Sequence, residues 1–252
     1  MQNKIEAGLF IFLSVGQGDH AAYNRYSSYD HIPEFQMMRS QVHAQRYVAT
    51  PELIAARMAA DPAMAPAQYF SGYYHMGPAE ETLAERAEHN QWVIDNAPAY
   101  NGTRNLQSVA AFDFVKARAA PHVPISADAV LYRPHTGVYV TMSDVNDPKD
   151  AAAVADWYER VHIPDMLSVK GFAGVWRFVS RRHPDFLNPE GRFLHIYFLD
   201  EEPAEALSDL RTKAPGWSAA GRGPETQPTS LVIESAFAAI ADTKDAKYDW
   251  FD

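Results

Sequence analysis

Cysteine is absent from this sequence of 252 residues. Without a thiol, the chain forms no disulfide, offers no thiolate nucleophile and holds no iron–sulfur cluster or zinc ion through cysteine. The sequence also lacks a run approaching the roughly 20 consecutive apolar residues that cross a bilayer, and its first residues lack the features of an export signal. We therefore expect a soluble, cytoplasmic protein with no membrane partner.

Positive charge is scarce in the chain. It carries 22 Lys and Arg against 32 Asp and Glu, which gives a formal net charge of −10. Phosphate recognition normally needs a basic surface, so we expect no nucleic-acid partner. Aromatic residues make up 12% of the chain, and this content is compatible with a pocket for a small hydrophobic substrate or with a well-filled core.

A pattern of ten residues occurs twice in the chain. Residues 26–35 read YSSYDHIPEF and residues 157–166 read WYERVHIPDM, so both begin with an aromatic residue and share His-Ile-Pro followed by an acidic and an apolar residue. In the same register, Arg46-Tyr47-Val48 falls opposite Arg177-Phe178-Val179. The match extends beyond the short motif, and it therefore indicates an internal repeat.

The flanking patterns predict the same order of elements twice, which is strand, helix, strand, strand, helix, strand. The strand segments are rich in aromatic and β-branched residues. Helices are predicted over 21–29 and 150–161, and Pro33 and Pro164 predict a break or kink after them. The predicted strands cover residues 8–14, 42–49, 67–75 and 108–117 in the first copy and 137–143, 174–180, 192–199 and 229–240 in the second.

This order predicts the α+β class, with two ferredoxin-like βαββαβ repeats. A four-stranded antiparallel sheet with helices on one face leaves the other face uncovered, so it needs a partner. We expect the repeats to be that partner for each other, as an intramolecular, pseudo-dimeric α/β barrel. A Pro-rich stretch over 119–134 suggests the boundary, with residues 1–125 as the first repeat and 126–252 as the second. The chain is then a monomer or a homodimer.

The helix-end segments Tyr29 to Pro33 and Arg160 to Pro164, each followed by a loop and an apolar strand, resemble the dimeric α/β-barrel superfamily and within it the EthD-like group. The resemblance covers both halves of the chain, whereas most members assemble from two separate copies. It implies a pocket between the sheet and its helices, with the helix-end His near it. The superfamily includes lactone isomerases, cyclases and dehydratases of polyketide-like compounds, cofactor-free monooxygenases and haem proteins.

The histidines of the repeated motif, His31 and His162, are the main catalytic candidates. Imidazole exchanges a proton near neutral pH, which suits general acid–base catalysis. The alternative is that His-Ile-Pro only terminates a helix. We expect Tyr26 to assist by donating a hydrogen bond to a substrate carbonyl.

Arg46 and Arg177 are the second pair of catalytic candidates. A guanidinium stays charged and offers a planar fork of donors, so it can stabilise an enolate, carboxylate or phenolate that forms near the histidine. The alternative is a strand arginine that faces solvent or pairs with Glu34 or Asp165. Which face of the strand each arginine occupies stays open at this point.

Further aromatic and imidazole side chains are candidates for binding the substrate. The first copy is richer in phenols and imidazoles, which favours it as the active one. A place in the plain core is the alternative for each of them. The substrate-binding candidates are Tyr23, Tyr29, Tyr73, His75, Trp157 and Trp176.

The sequence contains no His-Glu-x-x-His motif, no His-x-His cluster and no phosphate-binding glycine loop after a strand. We therefore predict no metal and no cofactor, with haem on a histidine as the alternative. The function expected from the residues and the resemblance is a cofactor-independent lyase, isomerase or dehydratase. Its substrate is a small hydrophobic carbonyl compound, aromatic or polyketide-like. A haem- or small-ligand-binding protein and a cofactor-free monooxygenase are the alternatives.

Overall fold

The computed structural model describes residues 4–97, 99–181 and 189–240. The outer ends of the two predicted repeats, residues 1–3 and 241–252, lie outside the described residues. The strands are β1 (Ile5–Val15), β2 (Gln41–Val48), β3 (Met58–Ala59), β4 (Tyr69–Met76), β5 (Arg104–Ala119), β6 (Gly137–Val145), β7 (Phe172–Ser180), β8 (Phe193–Leu199) and β9 (Thr229–Ala239). The helices are α1 (His20–Tyr26), α2 (Ile32–Phe35), α3 (Pro51–Ala55), α4 (Ala79–Asn96), α5 (Ala151–Trp157), α6 (Ile163–Met166) and α7 (Pro203–Ala219).

The strands form one antiparallel sheet in the order β2-β4-β1-β5-β7-β8-β6-β9-β3. β2 also pairs with β9, so the sheet closes on itself and β3 lies outside the ring as a short addition to β9. The order β2-β4-β1-β5 in the first half matches the order β7-β8-β6-β9 in the second. The predicted α+β class is confirmed, and the structure shows one large antiparallel sheet.

The inner face of the closed sheet is filled by aromatic rings from both halves. The ring of Phe10 lies 4.8 Å from that of Phe178, and Phe12 lies 6.1 Å from Phe237. Gly8 makes room for this packing, because a Cβ there would lie 2.5 Å from the Phe10 ring. Inward-facing side chains alternate with outward-facing ones along each strand. The barrel is therefore a packed core, and the space for ligands lies on its outer face.

Helices cover the outer face of the sheet. In the first half, Leu9 and Tyr73 of the sheet pack against Phe35 of α2 and Leu83 of α4. In the second half, α5, α6 and α7 occupy the corresponding positions. No helix of residues 4–97, 99–181 and 189–240 is long and apolar enough to span a bilayer.

Of the predicted break or kink at Pro33 and Pro164, the break does not occur, because the helices run on through a π-helical turn that ends two residues before each proline. The turn Ser27–His31 joins α1 to α2, and the turn Tyr158–His162 joins α5 to α6. The N–H of Ile32 bonds to the carbonyl of Ser27, five residues earlier. The wider turn leaves each proline in the first turn of the next helix, where its missing N–H is tolerated. Both motif histidines consequently end a π turn on a helix that faces the sheet.

Candidate functional site

A cavity of about 650 Å3 lies between α7 and the outer face of β6 and β9, and Ala56 and Met58 of the first half also line it. This volume falls within the roughly 300–1,000 Å3 range of small-molecule pockets. Polar groups enter it from β6, from β9 and from the π turn Tyr158–His162. Its apolar wall comes largely from helices and includes Met166, Leu207, Leu210, Ala214 and Trp217.

His162 lines this cavity from the end of its π turn. Its imidazole stacks on Trp157 with ring centroids 4.9 Å apart, and Tyr158 meets it edge-on at 5.5 Å. The imidazole makes no hydrogen bond with any residue that the structure describes. Burial lowers the pKa of His162 to about 4, although the nearby Glu225 opposes this shift. The ring is therefore neutral at pH 7, and a nitrogen lone pair is available to a ligand.

Tyr158 connects the cavity to a buried histidine on the sheet. Its ring lies 4.3 Å from that of His195, and its hydroxyl is 3.1 Å from the Ser143 hydroxyl. His195 Nδ1 lies 3.4 Å from the Thr141 hydroxyl, and its buried Nε2 has no partner among the described residues. Burial holds the pKa of His195 well below its usual value, with Arg177 and His162 adding to the effect. His195 is thus a neutral group behind the cavity wall.

One of the polar groups that line the cavity is the carboxyl group of Glu234. Burial raises the pKa of Glu234, while the hydrogen-bonding Tyr139 hydroxyl and Arg211 oppose the shift. Glu234, Tyr139 and Arg211 all line the cavity. A buried carboxyl with a raised pKa can hold or release a proton nearer to neutral pH than an exposed one.

Arg177 is buried beneath the π turn and does not line the cavity. Its Nη1 donates to Glu159 Oε2 at 2.8 Å, and Lys116 Nζ binds the other oxygen of this carboxylate at 2.7 Å. The expected alternative partner, Asp165, pairs with Arg222 instead. The guanidinium of Arg177 is therefore neutralised by the protein itself.

In the first half, His31 lies beside Tyr26, with 3.4 Å between the Tyr26 hydroxyl and His31 Nδ1. The His31 ring is 4.6 Å from that of Phe35 and 6.4 Å from that of Tyr73. Burial, followed by the charges of Arg86, Arg104 and Arg46, lowers the pKa of His31 to about 3. This histidine is neutral at pH 7 and would be a weak base there.

Arg46 and Tyr23 lie next to this histidine and form part of the same region. The guanidinium of Arg46 sits 4.8 Å from the Tyr23 ring, and Tyr23 packs against Tyr69 at 5.0 Å. Arg46 Nη2 donates to Asn24 Oδ1 at 2.8 Å. The structure thus brings together all first-half candidates except Tyr29 and His75.

Three predicted binding residues do not contact either motif histidine. Tyr29 is 48% exposed on the helix surface, where Arg25 stacks on it. His75 is buried beside Ser40, and burial, followed by nearby Arg86, lowers its pKa to about 3. Trp176 faces the barrel interior, 5.9 Å from Tyr74, because it alternates with the outward-facing Arg177 along β7. Trp176 is consequently a core residue in this structure.

The sequence predictions missed Tyr139, Thr141, Ser143 and Glu234 of the cavity. The first three occupy alternate positions of β6 and so share its outer face. Glu234 is an acidic residue inside an otherwise mostly apolar strand. This alternation and this isolated acid were the available signals, but neither shows that a cavity lies above them.

Several solved structures are similar to this chain in fold. No family model matches the chain, and no curated protein matches it. Among solved structures, an anthrone oxidase-like protein matches 95% of this chain and 92% of its own length, with a TM-score of 0.59 and 9% identity. A mutant chlorite dismutase from Candidatus Nitrospira defluvii in complex with cyanide matches 98% of this chain and 95% of its own length, with a TM-score of 0.54 and 10% identity.

A third structure, a DypB variant from Rhodococcus jostii RHA1 in complex with heme, matches 93% of both chains with a TM-score of 0.52 and 9% identity. The fold is that of the dimeric α/β-barrel class. At these identities the likeness concerns the fold alone.

These comparisons correct the expectation that the chain takes no cofactor. That expectation rested on the absence of metal-binding and phosphate-binding motifs from the sequence, whereas the similar DypB structure is in complex with heme. The names of the similar structures, an anthrone oxidase-like protein and a chlorite dismutase, also give no support to a lyase or an isomerase. They agree better with the alternatives that the sequence left open.

Proposed function

We propose that this chain is a haem-binding dimeric α/β-barrel protein with oxidative chemistry, and that its pocket is the cavity around His162. One observation carries the proposal. A neutral imidazole that makes no hydrogen bond with the described residues faces a largely apolar cavity of about 650 Å3. Haem proteins of several classes hold the iron through one such histidine in an apolar pocket.

The donor set of the cavity fits haem. His162 supplies one neutral nitrogen ligand, and the side chains of Leu207, Leu210 and Trp217 supply apolar wall. Arg211 supplies a guanidinium suited to a carboxylate of the macrocycle. Haem, when bound, supplies the redox and oxygen chemistry.

The other cavity residues suit a small hydrophobic substrate beside the cofactor. A ligand bound against the apolar wall would displace water from it, which strengthens the remaining polar interactions. Glu234 can hold or accept a proton at its carboxylate oxygen, and the Tyr139 hydroxyl orients that oxygen through its hydrogen bond. His162 would serve as a ligand in this proposal and not as the general base expected from the sequence.

We also propose that the barrel consists of two ferredoxin-like repeats in one chain, residues 1–125 and 126–252, of the EthD-like type. The equal strand order of the two halves supports this proposal. The pairing of β5 with β7 and of β9 with β2 supports it too, since each joins the fourth strand of one half to the second strand of the other. The His-Ile-Pro motif ends a π turn in both halves.

Titration of the purified protein with hemin tests the haem proposal. We expect a shifted Soret band for the wild type. His162→Ala should weaken hemin binding by at least about tenfold, because the iron loses its protein ligand. The same variant should bind metal-free protoporphyrin IX as the wild type does, since the apolar wall is intact.

His31→Ala is the matched control, because it removes the histidine of the same motif in the other half. We expect it to leave both titrations unchanged. A His162→Ala protein with the wild-type hemin spectrum and affinity would exclude His162 as the ligand and overturn the proposal. Absence of any Soret shift in the wild type would overturn it as well.

A further inference from the structure

The two buried arginines of the repeated pattern have different neighbours. Alignment of His31 with His162 places Arg46 opposite Arg177 and Ser28 opposite Glu159. In the second half, Arg177 Nη1 donates to Glu159 at 2.8 Å. In the first half, Arg46 Nη1 donates to the Ser28 hydroxyl at 3.2 Å. The first half keeps the arginine in the same place but has a neutral hydroxyl where the second half has a carboxylate.

Arg46 is consequently a buried charge without an ionic partner. Its side chain is 3% exposed, and its other hydrogen bond goes to the neutral amide of Asn24. Its buried Nε has no hydrogen-bond partner in the described part of the chain. The rings of Tyr23 and Tyr69 lie 4.8 and 5.5 Å away, and such contacts offset only part of the cost of burying a charge.

Two more arginines, Arg86 and Arg104, add positive charge to the region around Arg46 and His31. Arg86 lies 4.2 Å from the Phe35 ring and 4.6 Å from the Tyr73 ring, and its buried Nη1 has no partner among the described residues. Arg104 is exposed and its charge acts on His31, as do those of Arg86 and Arg46.

Protein carboxylates do not neutralise this cluster. Within residues 4–97, 99–181 and 189–240, no ion pair involves Arg46, Arg86 or Arg104. Asp30 lies near enough to affect Tyr26 but pairs with none of the three arginines. The Oε2 of Glu34 is buried without a hydrogen-bond partner, so it does not bind a guanidinium either. The cluster therefore lacks one or more negative charges that the protein supplies at Arg177.

We propose that this first-half cluster binds an aromatic carboxylate, with Arg46 and Arg86 holding the carboxylate and Tyr26 and His31 beside the ring. The planar fork of a guanidinium matches a carboxylate in shape and charge. Aromatic walls from Tyr73 and its neighbours suit a flat ring. Tyr26 and His31 are half-buried and Arg104 is exposed, so the cluster is reachable from solvent on that side. The proposed site is separate from the His162 cavity.

Benzoate is the probe, and thermal unfolding with isothermal calorimetry is the measurement. We expect benzoate to raise the melting temperature of the wild type, because a ligand that binds the folded state stabilises it. Ser28→Glu places a carboxylate where Glu159 stands in the other half. This variant should melt higher than the wild type without benzoate, and its benzoate affinity should fall by at least about tenfold, since Arg46 is already neutralised.

Ser208→Glu is the matched control, because Ser208 is exposed on α7 and the substitution adds the same charge elsewhere. Its response to benzoate should equal that of the wild type. A wild-type response in Ser28→Glu would overturn the proposal, and equal stabilisation by chloride at the same ionic strength would show an adventitious ion only. If Ser28→Glu does not fold, Arg86→Gln replaces it, and unchanged benzoate affinity there would overturn the proposal. Hemin binding of these variants reports separately on the His162 cavity.

Discussion

At the scale of single residues, the role of a buried charged side chain depends on whether a group of opposite charge contacts it. Arg177 and Arg46 occupy matched strand positions and are both nearly inaccessible to solvent. Only Arg177 has a carboxylate, Glu159, at 2.8 Å. Removal of one partner of a buried pair is far more destabilising than the pair is stabilising, because the remaining charge stays buried. The same guanidinium is therefore a structural group in one half and a candidate ligand-binding group in the other.

Glu159→Gln should destabilise the protein through this uncompensated charge. Breaking a fully buried pair costs about 3–5 kcal/mol, and we expect about 2 kcal/mol here because Glu159 is partly exposed. Urea unfolding at pH 7 measures the change. The control is Asp156→Asn, which breaks the exposed Asp156–Arg160 pair and should cost less than about 0.5 kcal/mol. Equal effects of the two substitutions would contradict the distinction between buried and exposed pairs.

At the scale of elements, α7 covers the cavity, and its backbone hydrogen bonding is weakened near its C-terminal end. Pro215 lies inside this helix and is followed by Gly216. A proline in a helix interior removes one backbone hydrogen bond and its ring clashes with the carbonyl four residues earlier. Both Pro215 and the nearby Trp217 line the cavity. The end of α7 nearest the proposed ligand is thus the part of the helix with the poorest backbone bonding.

Pro215→Ala should stabilise α7 by restoring the helix interior. We expect the free energy of unfolding to rise by about 1–3 kcal/mol and amide exchange after residue 215 to slow. Pro203→Ala is the control, since Pro203 stands in the first turn of α7, where proline is well tolerated. A Pro215→Ala protein less stable than the wild type would show that the helix needs its present shape.

The elements themselves were largely predictable from the sequence, while the pocket was not. The strands of both halves follow from local aromatic and β-branched runs, and the repeated His-Ile-Pro motif gave the register between the halves. The two-residue strand β3 has no comparable signal, and the five-residue helix α3 has only a start signal, Thr50 followed by Pro51. The cavity depends on how α7 lies over β6 and β9, which is a long-range packing property. For the same reason, the sequence could not tell that Arg177 meets Glu159 or that Trp176 points into the barrel.

At the scale of the whole molecule, one aromatic core joins the two halves. Phe10 of the first half contacts Phe178 of the second at 4.8 Å, and Tyr74 meets Trp176 edge-on at 5.9 Å. Large rings bury much apolar surface, and each of these rings does so against the other half. We therefore expect the halves to unfold together.

Phe178→Ala tests this shared core. The substitution should cost about 3–5 kcal/mol because it removes a buried ring. Hydrogen exchange should speed up in β1 as well as in β8, and unfolding should keep a single transition. Val115→Ala is the control, because Val115 is 48% exposed on β5 and its loss should have little effect. Two separate unfolding transitions would contradict a common core.

The two junctions of the ring differ greatly in length. In the described part of the chain, β5 and β7 are joined over seven residue pairs, whereas β2 and β9 pair at Tyr47–Ala239 and Val48–Ala238, next to one more bond from Ile240 N–H to the Arg46 carbonyl. We expect thermal motion to break the shorter β2–β9 junction first. The barrel then opens while the β5–β7 junction stays paired. An unrolled sheet exposes the bare backbone edge of β2, which can accept a strand from another molecule. Exchange of strands between neighbouring chains, and aggregation at high concentration, would begin at this edge.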